Sequence, residues 1–133
     1  MIDMQLPSFL RRVLWLDAAT CLATGALMTI AAAPLATLLH LPQGLLFFAG
    51  ASLFPVAAFI ALVASRHVIP SAGVWLVIIG NALWTLTSLA LLTDQRIAPN
   101  AMGIAFILVQ AAAVAVLAEL EHAGLRRSAK IVA

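Results

Sequence analysis

Charge is what this sequence has least of. Only 9% of its 133 residues are Asp, Glu, Lys or Arg, against about 25% in a soluble globular domain. That scarcity excludes a water-facing surface for most of the chain, and the mean hydropathy of +1.14 agrees. The pI of about 9.5 comes with a net charge of only +2. No basic tract is interleaved with aromatics, so no nucleic-acid partner is expected. Cys21 is the single cysteine. It excludes an intrachain disulfide, leaves the redox compartment open, and reads as a small packing residue. No Cys or His stands near it at metal-ligand spacing, and His40, His67 and His122 form no H-x-x-x-H pair. Neither metal nor cofactor is expected. A Gly-rich phosphate loop, a nucleophile elbow and a zinc motif are likewise missing. No catalytic residue set is left, which favours a non-enzymatic role.

What the chain does have is apolar length. At roughly 20 residues per transmembrane helix, four spans need about 80 residues, and the rest makes only short connections. The expected architecture is all-α: a single polytopic four-helix transmembrane domain over 1–133. Its spans are about 9–33, 43–65, 72–92 and 101–120. Met1 to Leu6 is a short tail, and Pro7-Ser8 suits a helix start. Ala31-Ala32-Ala33 resembles a signal-peptidase site. The run before it is longer than a signal h-region and contains Asp17, so it reads as a retained span. PLATLLHL, from Pro34 to Leu41, is too short to cross and suits a short interfacial helix. Pro42 opens the second span, which Pro55 interrupts.

Arg11, Arg12, Arg66, Arg126, Arg127 and Lys130 fall on one side of this topology, and only Arg96 on the other. By the positive-inside rule both termini are expected in the cytoplasm. Trp15 and Trp75 then stand near the cytoplasmic interface.

Polar residues mark the inward faces. On the first span Asp17, Thr20, Cys21, Thr24 and Met28 share one face; on the third, Asn81, Trp84, Thr85 and Ser88; on the fourth, Gly103, Gln110, Val114, Leu117 and Glu121. For the second, Phe48, Ser52, Pro55 and Phe59 are the expected inner stripe, and Ala57, Ala61 and Ala64 a close-packing one. Glu119 points away from Gln110, toward the interface or another subunit. Helical rise puts Asp17 about 8 Å deeper than Arg12. Two layers are expected: an ionisable cytoplasmic one with Arg66, Glu121 and His122, and a midplane one with Thr24, Asn81, Trp84 and Gln110. A buried acid is expected to be paired or functional. Arg66 is the favoured partner for Asp17, ahead of a proton or cation role. Asn81 and Gln110 read first as interhelical glue.

The stretches LDAAT, GNALWTLTSLALL and AFILVQAAAVAVLAEL resemble a group of small bacterial integral membrane proteins. The resemblance implies a four-helix architecture and brings no established activity with it. Asp17, Asn81, Trp84, Gln110 and Glu119 stand at its motif positions. Three functions stay open. The first is a bundle that binds a lipophilic small molecule or a membrane partner, with homo-oligomers possible. The second is an oligomeric proton-coupled transporter using Asp17. Its short helices and first-span acid resemble small multidrug-resistance transporters, whose weak charge bias this chain does not share. The third is an accessory protein of a membrane redox system.

Overall fold

A computed structural model describes residues 6–132, with the side chains of 8–127. The tail at residues 1–5 and the Lys130 side chain lie outside the described residues. Five helices follow in order: α1 Leu6–Ile30, α2 Ala32–Leu39, α3 Gln43–Ser65, α4 Ser71–Leu91 and α5 Ala101–Val132. No strand occurs among the described residues. Four helices, all but α2, are long and apolar enough to cross a membrane.

The boundaries have local causes. α1 ends at Ile30, three residues short of the expected span, because the chain bends at Ala31. That bend places Pro34, which has no N–H to donate, in the first turn of α2. α2 stops at His40, whose backbone is left-handed (φ 58°) and whose N–H donates to the Ala36 carbonyl. Asn100 then caps α5: its Oδ1 accepts the Gly103 N–H at 2.9 Å, and its Nδ2 donates to the Leu38 carbonyl at 2.8 Å. One side chain therefore closes the start of α5 and fastens it to the end of α2. Gly103 is required there, since a Cβ would run into the Leu39 carbonyl.

α5 is the main correction to the expected spans. It runs well beyond residue 120, because Glu119, Glu121 and His122 do not end it. Glu121 turns inward and is fully buried. Gly124 then lets the helix approach Leu10 and Phe9 of α1.

α1 packs along α3 and also against α5, while α4 packs along α5. The α1–α3 crossing is close because both sides are glycine. A Cβ on Gly25 would lie 2.9 Å from the Gly50 carbonyl oxygen, and one on Gly50 would lie 2.7 Å from Met28 Cβ. Small residues let membrane helices approach in this way. α3 and α4 are consecutive, yet scarcely meet. They touch where Gly73 faces Val63 next to their connection.

The buried face of α3 is Leu46, Gly50, Leu53, Ala57, Ile60, Val63 and Ala64. The alanine stripe therefore packs inward. The expected Phe48, Ser52, Pro55 and Phe59 stripe does not: all four are exposed. Ser52 satisfies its hydroxyl on the Ala49 carbonyl of its own helix, at 2.6 Å, and needs no interhelical partner. Large apolar side chains such as Leu22, Ile30, Leu62, Leu83 and Val109 cover the outside, a surface suited to lipid.

Two apolar cores result. One gathers Leu10, Leu14, Ala18, Ile60, Val63, Ala64, Val74 and Val77, near the α3–α4 connection. The other gathers Met28, Leu39, Leu41, Leu46, Leu53 and Ile107, around α2. Cys21 packs against both, and the polar residues of the interior lie between them.

Candidate functional site

Asn81 stands halfway along α4 and joins three helices. Its amide nitrogen donates to Asp17 Oδ2 on α1 at 2.7 Å and to Glu121 Oε1 on α5 at 2.9 Å. An amide nitrogen carries two hydrogens, so both are committed. All three residues are buried, Asp17 to 1% exposure and Glu121 to 0%. The Cys21 thiol, one turn beyond Asp17, donates to Asp17 Oδ1 at 3.6 Å. Glu121 Oε2 is buried and has no hydrogen-bond partner. The two carboxyl groups are brought together by accepting from the same amide nitrogen.

No cation balances them. Among the described residues the only ion pair is Arg96 with Asp94, in the turn between α4 and α5. The expected Asp17–Arg66 salt bridge is absent, because the cationic groups at that end are held elsewhere. Arg11 wraps over the end of α3: its Nε donates to the Ala64 carbonyl at 2.8 Å and its Nη2 to the Arg66 carbonyl at 2.6 Å. It thereby supplies donors and positive charge to the unpaired carbonyls of a helix C-terminus. Arg66 is exposed and serves through its backbone. His122 lies against Trp75, ring centroids 5.5 Å apart. The expected cytoplasmic layer of Arg66, Glu121 and His122 is thus dissolved: Glu121 joins Asp17 and Asn81, and the other two stay outside.

A second polar pair lies one turn along α4. Trp84 Nε1 donates to Gln110 Oε1 at 2.7 Å, while Gln110 Nε2 donates to the Ile107 carbonyl at 2.9 Å. Thr85 Oγ1 donates to the Asn81 carbonyl at 2.9 Å and reaches Ala111 of α5. The expected midplane layer is therefore split. Trp84 and Gln110 remain together, but Asn81 belongs to the carboxyl cluster.

Both polar groups border a cavity of about 440 Å³. α1 lines it with Asp17, Thr20, Cys21 and Thr24, α4 with Asn81 and Trp84, and α5 with Gln110, Val114 and Leu117. On α3 the wall is apolar throughout: Leu53, Pro55, Val56, Phe59 and Ile60. Glu121 does not reach the wall and stands behind Asn81. Val56 and Phe59 on α3, and Leu76 and Gly80 on α4, line the cavity and are also exposed. The cavity therefore opens where α3 and α4 part. Every ligand candidate read from the sequence, namely Asp17, Thr24, Asn81, Trp84 and Gln110, borders it. Sequence reasoning set Cys21 on the face of Asp17 and Glu121 near its height, but missed that Asn81 joins the two acids. On the α3 wall it marked Pro55 and Phe59 as inward, and it missed Leu53, Val56 and Ile60, which carry no polar signal. No group of three metal-ligating side chains forms among the described residues.

Comparisons with known protein families, curated proteins and solved structures found no match.

Proposed function

We propose that this chain is a non-enzymatic membrane protein that binds a lipophilic small molecule inside its helix bundle. The observation that carries the reading is the cavity between α3 and α4, apolar over most of its wall and polar at Asp17, Asn81, Trp84 and Gln110. Its volume lies within the roughly 300–1,000 Å³ of small-molecule sites. A few convergent polar groups in an apolar pocket orient a ligand, and the mouth, flanked by Phe59 and Leu76, would open to the bilayer.

The setting proposed with it is a bacterial inner membrane, both termini in the cytoplasm and α2 at the opposite interface. The supporting feature is the grouping of basic residues. Arg11 bonds the end of α3, and Arg127 lies 5.0 Å over the Phe9 ring, so the basic ends of α1, α3 and α5 share one side. Arg96 stands apart in the α4–α5 turn. Homo-oligomers or a membrane-protein partner would use the exposed apolar faces.

Calorimetric titration of the full chain in lipid nanodiscs with 1-adamantanol, a compact neutral probe, tests the reading. Saturable binding is expected in the wild type and loss of it in Gly80→Phe. A Cβ at Gly80 meets nothing within 4 Å, so this variant plugs the mouth without crowding the helices. Binding that is unsaturable, or unchanged by the plug, would refute the reading.

A further inference from the structure

We infer that the cavity takes a lipophilic monocation with N–H donors, an aliphatic ammonium, and that Asp17 receives it in exchange for a proton. This rests on the binding reading above and names its ligand class.

The argument is one of charge and donors. Two buried carboxyl groups meet at Asn81, whose amide hydrogens are both committed to them. Glu121 Oε2 is buried with no donor at all. Among the described residues, the elements packed around the pair bring no cation to it. α1 adds only the Cys21 thiol, α4 only neutral Asn81, and α3 lines the cavity with apolar side chains. Arg11 is held by the carbonyls at the end of α3, and His122 by the Trp75 ring. Uncompensated buried carboxylates are prohibitively costly, so their charge is met by protons or by a cation from outside. Only Asp17 offers a carboxyl to the cavity. The site is therefore an apolar chamber with one acidic contact whose counter-charge none of the described residues supplies. Glu121, behind Asn81, keeps its own proton and positions that amide.

The exchange balances. An ammonium enters from the bilayer as a cation, the Asp17 O–H bond breaks, and that proton leaves to bulk water. The ammonium N–H then donates to the carboxylate, so one positive charge enters for each that leaves. A neutral alcohol of the same shape can hydrogen-bond Asp17 but brings no charge and displaces no proton.

1-Aminoadamantane and 1-adamantanol differ only in that group, and both are titrated into the full chain in nanodiscs. The amine is expected to bind at least tenfold more tightly at pH 7. Its affinity should fall about tenfold per pH unit toward pH 5, the slope of one exchanged proton. Titration in buffers of different ionisation enthalpy should show one proton released per amine bound. Asp17→Asn should bind both probes alike and lose the slope. Should that variant fail to fold, the wild-type proton count decides. Equal affinity for the two probes, or amine binding without proton release, would overturn the inference while leaving the cavity reading intact. If neither probe binds, the cavity reading falls with it.

Discussion

The two neighbours of α3 are held to it in opposite ways. Against α1 it crosses at Gly25 and Gly50, where backbone meets backbone and no side chain could be added. Against α4, its next helix in the chain, it makes contact near the connection and then diverges around a cavity with Asp17, Asn81 and Trp84 in its wall. Lipid tails are as apolar as leucine, so helices in a bilayer associate through close packing and polar contacts rather than hydrophobicity. The α1–α3 seam uses the first device, and the α1–α4–α5 junction at Asn81 uses the second. The α3–α4 seam has little of either. It is the natural place for the bundle to admit a molecule.

Closing the tight seam to side chains should have the largest effect. Gly50→Leu forces new atoms onto Met28 and the Gly25 carbonyl, so it should cost about 3 kcal/mol, seen as a large fall in the thermal unfolding midpoint in detergent. A neutral outcome would mean that the two seams do not differ as described. Asn81→Leu comes next. It strips both carboxyl groups of their shared donor, and the expected loss is roughly 2–5 kcal/mol; Asn81→Asp, which adds a third acid, should be no better tolerated. Retained stability in Asn81→Leu would show that the amide is not what joins the three helices. Gln110→Leu removes the acceptor of the Trp84 indole and should cost about 0.6–2 kcal/mol, with a shift in Trp84 emission as the local readout.

The smallest effect belongs to the α4–α5 turn, remote from both seams. Hydrogen bonding and charge from Arg96 hold the Asp94 carboxyl below its ordinary range. A carboxylate with a depressed folded pKa contributes stability above its unfolded pKa, near 3.9, and loses it as pH falls through the folded value. Because Arg96 is 89% exposed and Asp94 only partly covered, Arg96→Ala should barely move the unfolding midpoint at pH 7, and the small difference should shrink as pH falls below about 3.9. A large effect at pH 7 would assign this turn a structural weight that an exposed ion pair does not carry.

How much of this was legible in sequence depended on what each helix advertised. Apolar run length located four spans, and the ends of α3 fell where Pro42 and Arg66 mark them. On α1, α4 and α5, polar residues at helical spacing identified inner faces, since lipid leaves such groups nowhere else to go. α3 offered no such marker. Its buried face is glycine, alanine, leucine, isoleucine and valine, and its one conspicuous hydroxyl, Ser52, bonds within its own helix. The partner of Asp17 was not legible either. Counting rise along straight helices set it beside Arg66 and a layer away from Asn81. Tilt and side-chain reach instead bring Asn81 to it, and Arg11 caps α3 rather than pairing with an acid. Glu121 was legible as part of the inner stripe of the fourth span, but that span was expected to end at residue 120, whereas α5 continues past it and buries it.

The most direct measurement of the open seam uses Trp84, which lines the cavity, in a Trp15→Phe/Trp75→Phe background in nanodiscs. Quenching of its emission by 1-bromoadamantane should saturate, and Gly80→Phe should abolish that saturation. Quenching that rises linearly with probe concentration, equally in both proteins, would contradict a binding cavity between α3 and α4.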